Sequence, residues 1–276
     1  MVRRTGAPAG RRLAAALAAL LCLGVARAQE TDTAPPFVTT PDEVVERMLR
    51  LAGTGPQDTV IDLGSGDGRI VIAAARSFGA RGIGVDIDAN LVALSRENAR
   101  RAGVAPRTEF HVRDALKTDL RQASVVTVYL LPFLIDQLQP IFLAQLKPGA
   151  RIVTHAFGMK GWKPDRSETV ALSKPHGSRD SKGERSEIYL WIVPAQARGR
   201  WQAAGWRLAI SQNFQEIEVE GDRNGRPLEV TRAKLEGMQI SFSGPDFSYR
   251  GRVAGNRIAG ELTQGGAATP LEFSKR

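Results

Sequence analysis

Cysteine is nearly absent from this chain: of 276 residues, Cys22 alone is one. It lies in an apolar N-terminal stretch, preceded by Leu21 rather than by the small residue that goes before a lipid-acceptor cysteine. The chain beyond it therefore has no disulfide, no thiol nucleophile and no cysteine metal ligand. Histidine is scarce as well, and His111, His155 and His176 lack the spacing of zinc ligands, so no metal site is expected. Acids are missing from the first 28 residues, which carry five arginines, more than half of the formal net charge of +9. The remainder lacks the clustered basic signature of a nucleic-acid partner, and none is expected.

The acid-free start reads as a secretory signal over residues 1–28. Arg3, Arg4, Arg11 and Arg12 precede an apolar run, Leu13 to Val25, too short to span a bilayer comfortably, and Ala26-Arg27-Ala28 is a small-x-small cleavage site. Export to the periplasm is the expectation; the alternative is an uncleaved leader anchoring the protein in the inner membrane. Residues 29–36, polar and proline-rich, read as a linker.

From there to residue 193 the pattern alternates. "TTPDEVVERMLRLAG" predicts a helix opened by a capping box, with Thr40 at N-cap, Pro41 at N1 and Glu43 at N3. Strands are predicted over 59–63, 82–87, 108–112, 125–130, 151–157 and 187–193. Helices are predicted over 69–77, 91–102 and 133–146, and residues 158–185 are polar and irregular. Short connections between alternating elements imply an α/β fold: a doubly wound, mostly parallel sheet with helices on both faces. After Pro194 the period changes to two. "FQEIEVE", "QISFS", "FSYRGRV" and "RIAGEL", separated by glycine-bearing turns, predict a small all-β domain over 195–276.

"VIDLGSGDGRIVIAAA" (Val60 to Ala75) bares a backbone between the first strand and its helix. Gly64, Gly66 and Gly68 free the main chain for unusual dihedrals and remove side chains that would keep a ligand away. A phosphate-gripping loop needs Gly-Lys-Ser/Thr, which is absent. A dinucleotide needs a third glycine where Arg69 stands. Asp62, two residues before the first glycine, would repel a pyrophosphate and welcome an ammonium group. S-adenosylmethionine has an ammonium and a sulfonium and no phosphate.

Asp62-Leu63-Gly64-Ser65-Gly66-Asp67-Gly68 resembles the first motif of class I S-adenosylmethionine-dependent methyltransferases, which have a Rossmann-like fold. By that resemblance Asp86 in "GIGVDID" receives the ribose hydroxyls and Asp114 in "HVRDAL" meets the adenine amine; on residues alone these are a loop-capping carboxylate and a surface charge. "FVTTP" (Phe37 to Pro41), "VYLLP" (Val128 to Pro132) and "THAF" with Trp162 are similar to a narrower group. It contains the mitochondrial lysine methyltransferases of the ATP synthase c-subunit and the adenine nucleotide translocase, with bacterial relatives. The likeness covers residues 37–193. It implies a protein-lysine N-methyltransferase with a protein substrate that is itself membrane-associated. A small-molecule methyltransferase, and a non-catalytic exported binding protein that keeps the cofactor fold, are the alternatives.

Tyr129-Leu130-Leu131-Pro132 departs from the Asn/Asp-Pro-Pro-aromatic motif of amide- and base-methylating enzymes. The candidate catalytic residues are Tyr129, to flank the target amine, Pro132, to shape the turn, and His155, to accept a proton. Each has a purely packing alternative. Phe157 and Trp162 either wall the acceptor channel or anchor the loop that follows the fifth strand.

Overall fold

The computed structural model describes residue 1, residues 38–173 and residues 185–276. The expected leader and linker, Phe37 and His176 lie outside the described residues. Residues Thr39–Arg276 form one compact unit.

The first sheet comprises β1 (Thr59–Leu63), β2 (Arg81–Asp86), β3 (Thr108–Val112), β4 (Val125–Val128), β5 (Arg151–His155), β6 (Arg166–Ala171) and β7 (Arg185–Ile192), with apolar runs at its centre in β1, β4 and β5. Their order is β3-β2-β1-β4-β5-β7-β6. The first five are parallel, and β7 runs antiparallel to both β5 and β6. The chain proceeds outward from β1 in one direction and from β4 in the other, so the crevice at their carboxyl ends is the switch point where open α/β sheets bind ligands.

Four helices cover the two faces: α1 (Asp42–Leu51), α2 (Arg69–Phe78), α3 (Ala89–Arg101) and α4 (Pro132–Gln145). Val44, Val45, Met48 and Leu49 of α1 pack with Ile70 and Ala74 of α2 over one face. Ile135, Leu138 and Phe142 of α4 bury against the other. The capping box is not formed. Pro41 occupies the N-cap position of α1 with no side-chain cap. Thr40 turns its hydroxyl to His155 instead, and Glu43 accepts from the backbone N–H and hydroxyl of Ser173. Tertiary partners displaced the local pair. The irregular segment also contains a strand the sequence did not reveal, β6, because it is an edge strand whose only buried residue is Val170.

The second sheet comprises β8 (Gly199–Ala203), β9 (Trp206–Asn213), β10 (Glu216–Arg223), β11 (Arg226–Pro227), β12 (Arg232–Glu236), β13 (Gln239–Gly244), β14 (Phe247–Ala254), β15 (Arg257–Gln264) and β16 (Ala267–Lys275). It is antiparallel throughout, ordered β11-β10-β9-β8-β16-β15-β14-β13-β12. Alternate residues enter one core around Trp201, Trp206, Phe242, Tyr249 and Phe273. Tight turns join the strands; at β10–β11, Asn224 and Gly225 have φ of +49° and +79°, the left-handed pair that suits a two-residue hairpin. Among the described residues no helix is long and apolar enough to cross a membrane.

Candidate functional site

The glycine loop joins β1 to α2. The backbone N–H groups of Gly64 and Ser65 both donate to the Val85 carbonyl at 2.9 Å, and that of Gly68 donates to Ser65 at 2.8 Å, which curls the loop over the end of β2. Gly64, Gly66 and Gly68 have φ of +78°, +53° and +81°. A Cβ on Gly64 would lie 2.7 Å from Leu130, and one on Gly68 2.7 Å from Ser95 and 2.8 Å from Phe110. At these two positions the protein's own side chains, rather than a ligand, take the space that glycine leaves.

Three acids surround the loop. Asp62, at 2 % exposure, accepts a 2.7 Å hydrogen bond from the Thr127 hydroxyl. Burial pushes its carboxyl up to about 7; the Thr127 bond works against this, and the charges of Asp86 and Asp67 add to it. A buried carboxyl in that condition is completed by a cation. Asp67 is committed to Arg69, whose Nη2 lies 2.6 Å from Oδ2 and whose Nη1 donates to the Thr40 carbonyl at 2.9 Å. Asp86 accepts from the backbone N–H of Gly66 at 2.8 Å and of Asp88 at 3.0 Å, one bond on each oxygen. Each oxygen keeps a further lone pair, the acceptor set a diol requires.

Asp114 follows β3 and caps a single helical turn, accepting from the Leu116 N–H at 2.9 Å, with Lys117 at 3.8 Å. It is tied to Asp86 through its neighbour: the Arg113 N–H donates to the Asp86 carbonyl at 2.8 Å. Hydrogen bonds thus join the ends of β1, β2 and β3 into one rim. A residue the sequence did not single out is Ser65, whose buried hydroxyl has no partner among the described residues. Its signal was present in the motif but not separable from that of the glycines.

On the other side of the switch point, Tyr129 leaves β4 half-buried, and burial raises its phenol, so the hydroxyl stays neutral at ordinary pH. Its ring lies 4.1 Å from the His155 imidazole, tilted by 41°. His155 is 3 % exposed, with Nδ1 3.2 Å from the Thr40 hydroxyl and Nε2 3.1 Å from the Ser186 hydroxyl. Both ring nitrogens are engaged, so direct proton transfer would break one of these bonds. Toward the site His155 touches the Tyr129 ring. Pro132 starts α4, flanked by Leu131 and Phe133, which are 41 % and 57 % exposed. After β5 the chain turns sharply: Ala156 has φ of +65°, and the Phe157 N–H donates to the His155 carbonyl at 2.8 Å. Trp162 is buried at 1 % exposure and stacks on Phe214, so it is the loop anchor of the two expected roles.

Two concavities are lined by other residues. One of about 620 Å³ in the second sheet has Arg207 and Asp222 paired at 2.9 Å across its wall. One of about 390 Å³ lies between α1 and α2, with Arg69 and Asp67 paired in its wall. The strand ends, where unpaired demand for a cation and a diol converges, are the better site.

Residues 62–166 match the ANTKMT methyltransferase domain. The chain is 39% identical over 130 residues to a protein-lysine N-methyltransferase of Saccharolobus islandicus, covering 47% of this chain and 81% of that one. It is 35% identical over 148 residues to the mouse adenine nucleotide translocase lysine N-methyltransferase, covering 52% of this chain and 64% of the mouse protein. Among solved structures it is similar to an RNA methyltransferase of Salinibacter ruber in complex with S-adenosyl-L-homocysteine. Identity there is 48% and the TM-score 0.50, over 56% of this chain and 93% of that one. The residues matched by the family domain, 62–166, run from β1 to the start of β6, where the glycine motif and the acids stand. The chain belongs to the same methyltransferase family as the Saccharolobus protein-lysine N-methyltransferase, enzymes that use S-adenosylmethionine.

Proposed function

We propose that the protein methylates a lysine side-chain amine of a protein substrate, with the site at the carboxyl ends of β1 to β5. The observation that carries this is the similarity to the Saccharolobus protein-lysine N-methyltransferase across 81% of its length. When bound, S-adenosylmethionine supplies a methyl carbon open to in-line attack. Asp62 would hold its ammonium group, Asp86 its ribose hydroxyls and Asp114 its adenine amine, while Gly64, Gly66 and Gly68 shape the loop between them. The acceptor side offers apolar surface and the neutral Tyr129 hydroxyl. Loss of water from such a surface favours the uncharged amine, the form that can attack. Tyr129 orients that amine, Pro132 fixes the start of α4, and His155 holds the Tyr129 ring.

The exposed Leu131 and Phe133 beside Tyr129 suit a substrate with an apolar surface, and a membrane-associated protein is the substrate class we favour. The name of the Salinibacter structure supports a second acceptor, RNA. The test is incubation of the purified protein with methyl-labelled S-adenosylmethionine and separated membrane, soluble-protein and RNA fractions. Label recovered as methyl-lysine from the membrane fraction is expected. Label lost on ribonuclease treatment would establish the second reading, and label confined to metabolites would defeat both.

The placement in the cell is part of the proposal: the catalytic domain (37–193) and the β module (195–276) are exported after cleavage of residues 1–28. N-terminal sequencing of the native protein should find Gln29 in the periplasmic fraction. An uncleaved start in the membrane or cytosolic fraction would defeat it.

A further inference from the structure

The junction between the two sheets is built at a particular place. The hairpin that turns from β9 to β10 projects Phe214 and Gln215 onto the loop that follows β5. Phe214 lies parallel to Trp162, with ring centroids 5.0 Å apart and planes 7° apart. The Trp162 indole N–H donates to Gln215 Oε1 at 2.8 Å, and Gln215 Nε2 donates to the Lys163 carbonyl at 2.7 Å. One glutamine thus grips two consecutive residues of the loop. Phe214 counts among the side chains packed on the core of the first sheet, with Met159, Trp162 and Trp191. The Trp191 indole N–H, in turn, donates to the Trp162 carbonyl at 2.9 Å.

The hairpin tip is braced from behind. Gln212 is buried; its Nε2 donates to the carbonyls of Ala195 and Phe214 at 2.9 and 2.7 Å, and its Oε1 accepts from Ala197 and Arg198 at 2.8 and 3.0 Å. Phe214 itself has φ of +53°, a left-handed conformation that a bulky residue adopts only when its surroundings hold it there. The loop it grips begins with a second such residue, Ala156 at φ +65°, directly after His155. The Thr154 hydroxyl bonds the Phe157 carbonyl across this turn. Left-handed residues therefore stand at the contact itself, Phe214 in the module, and at the start of the gripped loop, Ala156 at the rim of the acceptor side.

We propose that the β module is a fixed buttress of the methyl-acceptor side: Phe214 and Gln215 are positioning residues that act through Trp162 to hold residues 156–165 beside Tyr129 and His155. The cofactor rim, made by β1, β2 and β3, takes no part in this contact. The proposal rests on the methyl-transfer reading for where the acceptor sits, and gives the module a role in that same site.

The experiment compares full-length wild type with Gln215→Ala, Phe214→Ala and Phe214→Tyr. It measures amide hydrogen exchange of residues 156–165, S-adenosylhomocysteine affinity by calorimetry, and label transfer to the membrane fraction. In the two alanine variants exchange in 156–165 should rise at least about tenfold and transfer fall at least about fivefold, with cofactor affinity within about twofold of wild type. Phe214→Tyr, which keeps the stacked ring, should stay near wild type in all three. Gln215→Ala decides the matter should Phe214→Ala not fold. Unchanged exchange in 156–165, or faster exchange with unaltered transfer, would overturn the proposal, as would a fall in cofactor affinity equal to the fall in transfer. A wild type that binds the cofactor but labels no fraction would defeat the acceptor reading instead, leaving the exchange comparison to decide whether the tip holds the loop.

Discussion

Gly68→Ala is expected to cost a large share of the protein's folding stability, although it adds a single methyl group. The residue sits at φ +81° as the N-cap of α2, and a side chain there costs about 1–2 kcal/mol in backbone strain alone. The new Cβ would then lie 2.7 Å from Ser95 Cβ and 2.8 Å from the Phe110 ring, a clash in a closed core that costs a further ~1–3 kcal/mol. The sum, roughly 2–5 kcal/mol, approaches the whole stability of a marginal domain. Gly103→Ala is the control: its φ is +73°, yet nothing lies within 4 Å of its Cβ, so only the backbone part should appear. Urea unfolding of the two variants separates strain from clash. Equal losses would show that Ser95 and Phe110 move aside and that the loop is not closed against its own protein.

Asp62→Asn should produce two large effects of opposite sign. The native carboxyl keeps its proton up to about pH 7, whereas in the unfolded chain it loses it near 3.8. Between these values the native state binds more protons, so this group makes stability fall as pH rises, and above about 7 the penalty is constant. At about 1.4 kcal/mol per pKa unit, the full penalty is of the order of 4 kcal/mol, an upper figure for a group that relaxes when charged. Asparagine keeps an oxygen for the Thr127 hydroxyl and removes the charge. The unliganded variant should therefore match wild type near pH 4 and exceed it in melting temperature at pH 8. Cofactor affinity at pH 8 should fall by about 10- to 100-fold, the worth of a hydrogen bond to a charged partner. A variant that is less stable at pH 8 and still binds the cofactor would show that the Asp62 carboxylate serves the fold and not the ligand.

Much of this molecule is legible in its sequence. β1, α2, β2, α3 and β3 lie within two residues of where the sequence pattern puts them: β1, α2 and β2 as buried runs closed by glycine or an acid, α3 and β3 on fewer buried positions. What escaped was decided at a distance. Thr40 and Glu43 carry the signature of a capping box, but their side chains go to His155 and Ser173 instead. β16 is exposed along most of its length, so its sequence shows no alternation, while β9 alternates throughout and was discernible in principle. In the site, the acids could be read from the glycine motif and the strand ends. The engagement of both His155 nitrogens could not, since Thr40 and Ser186 are 115 and 31 residues away in sequence. Nor could the stacking of Trp162 on Phe214, which joins two sheets of different class.

The most direct measurement of the central claim, that the acids at the ends of β1 and β2 hold the methyl donor, is a crystal structure with S-adenosylhomocysteine. The ligand should lie across the glycine loop, its ammonium group toward Asp62 and both ribose hydroxyls on the Asp86 carboxylate, with the Gly66 N–H bond to Asp86 retained. A ligand bound elsewhere, or one in the crevice whose ribose makes no contact with Asp86, would contradict it.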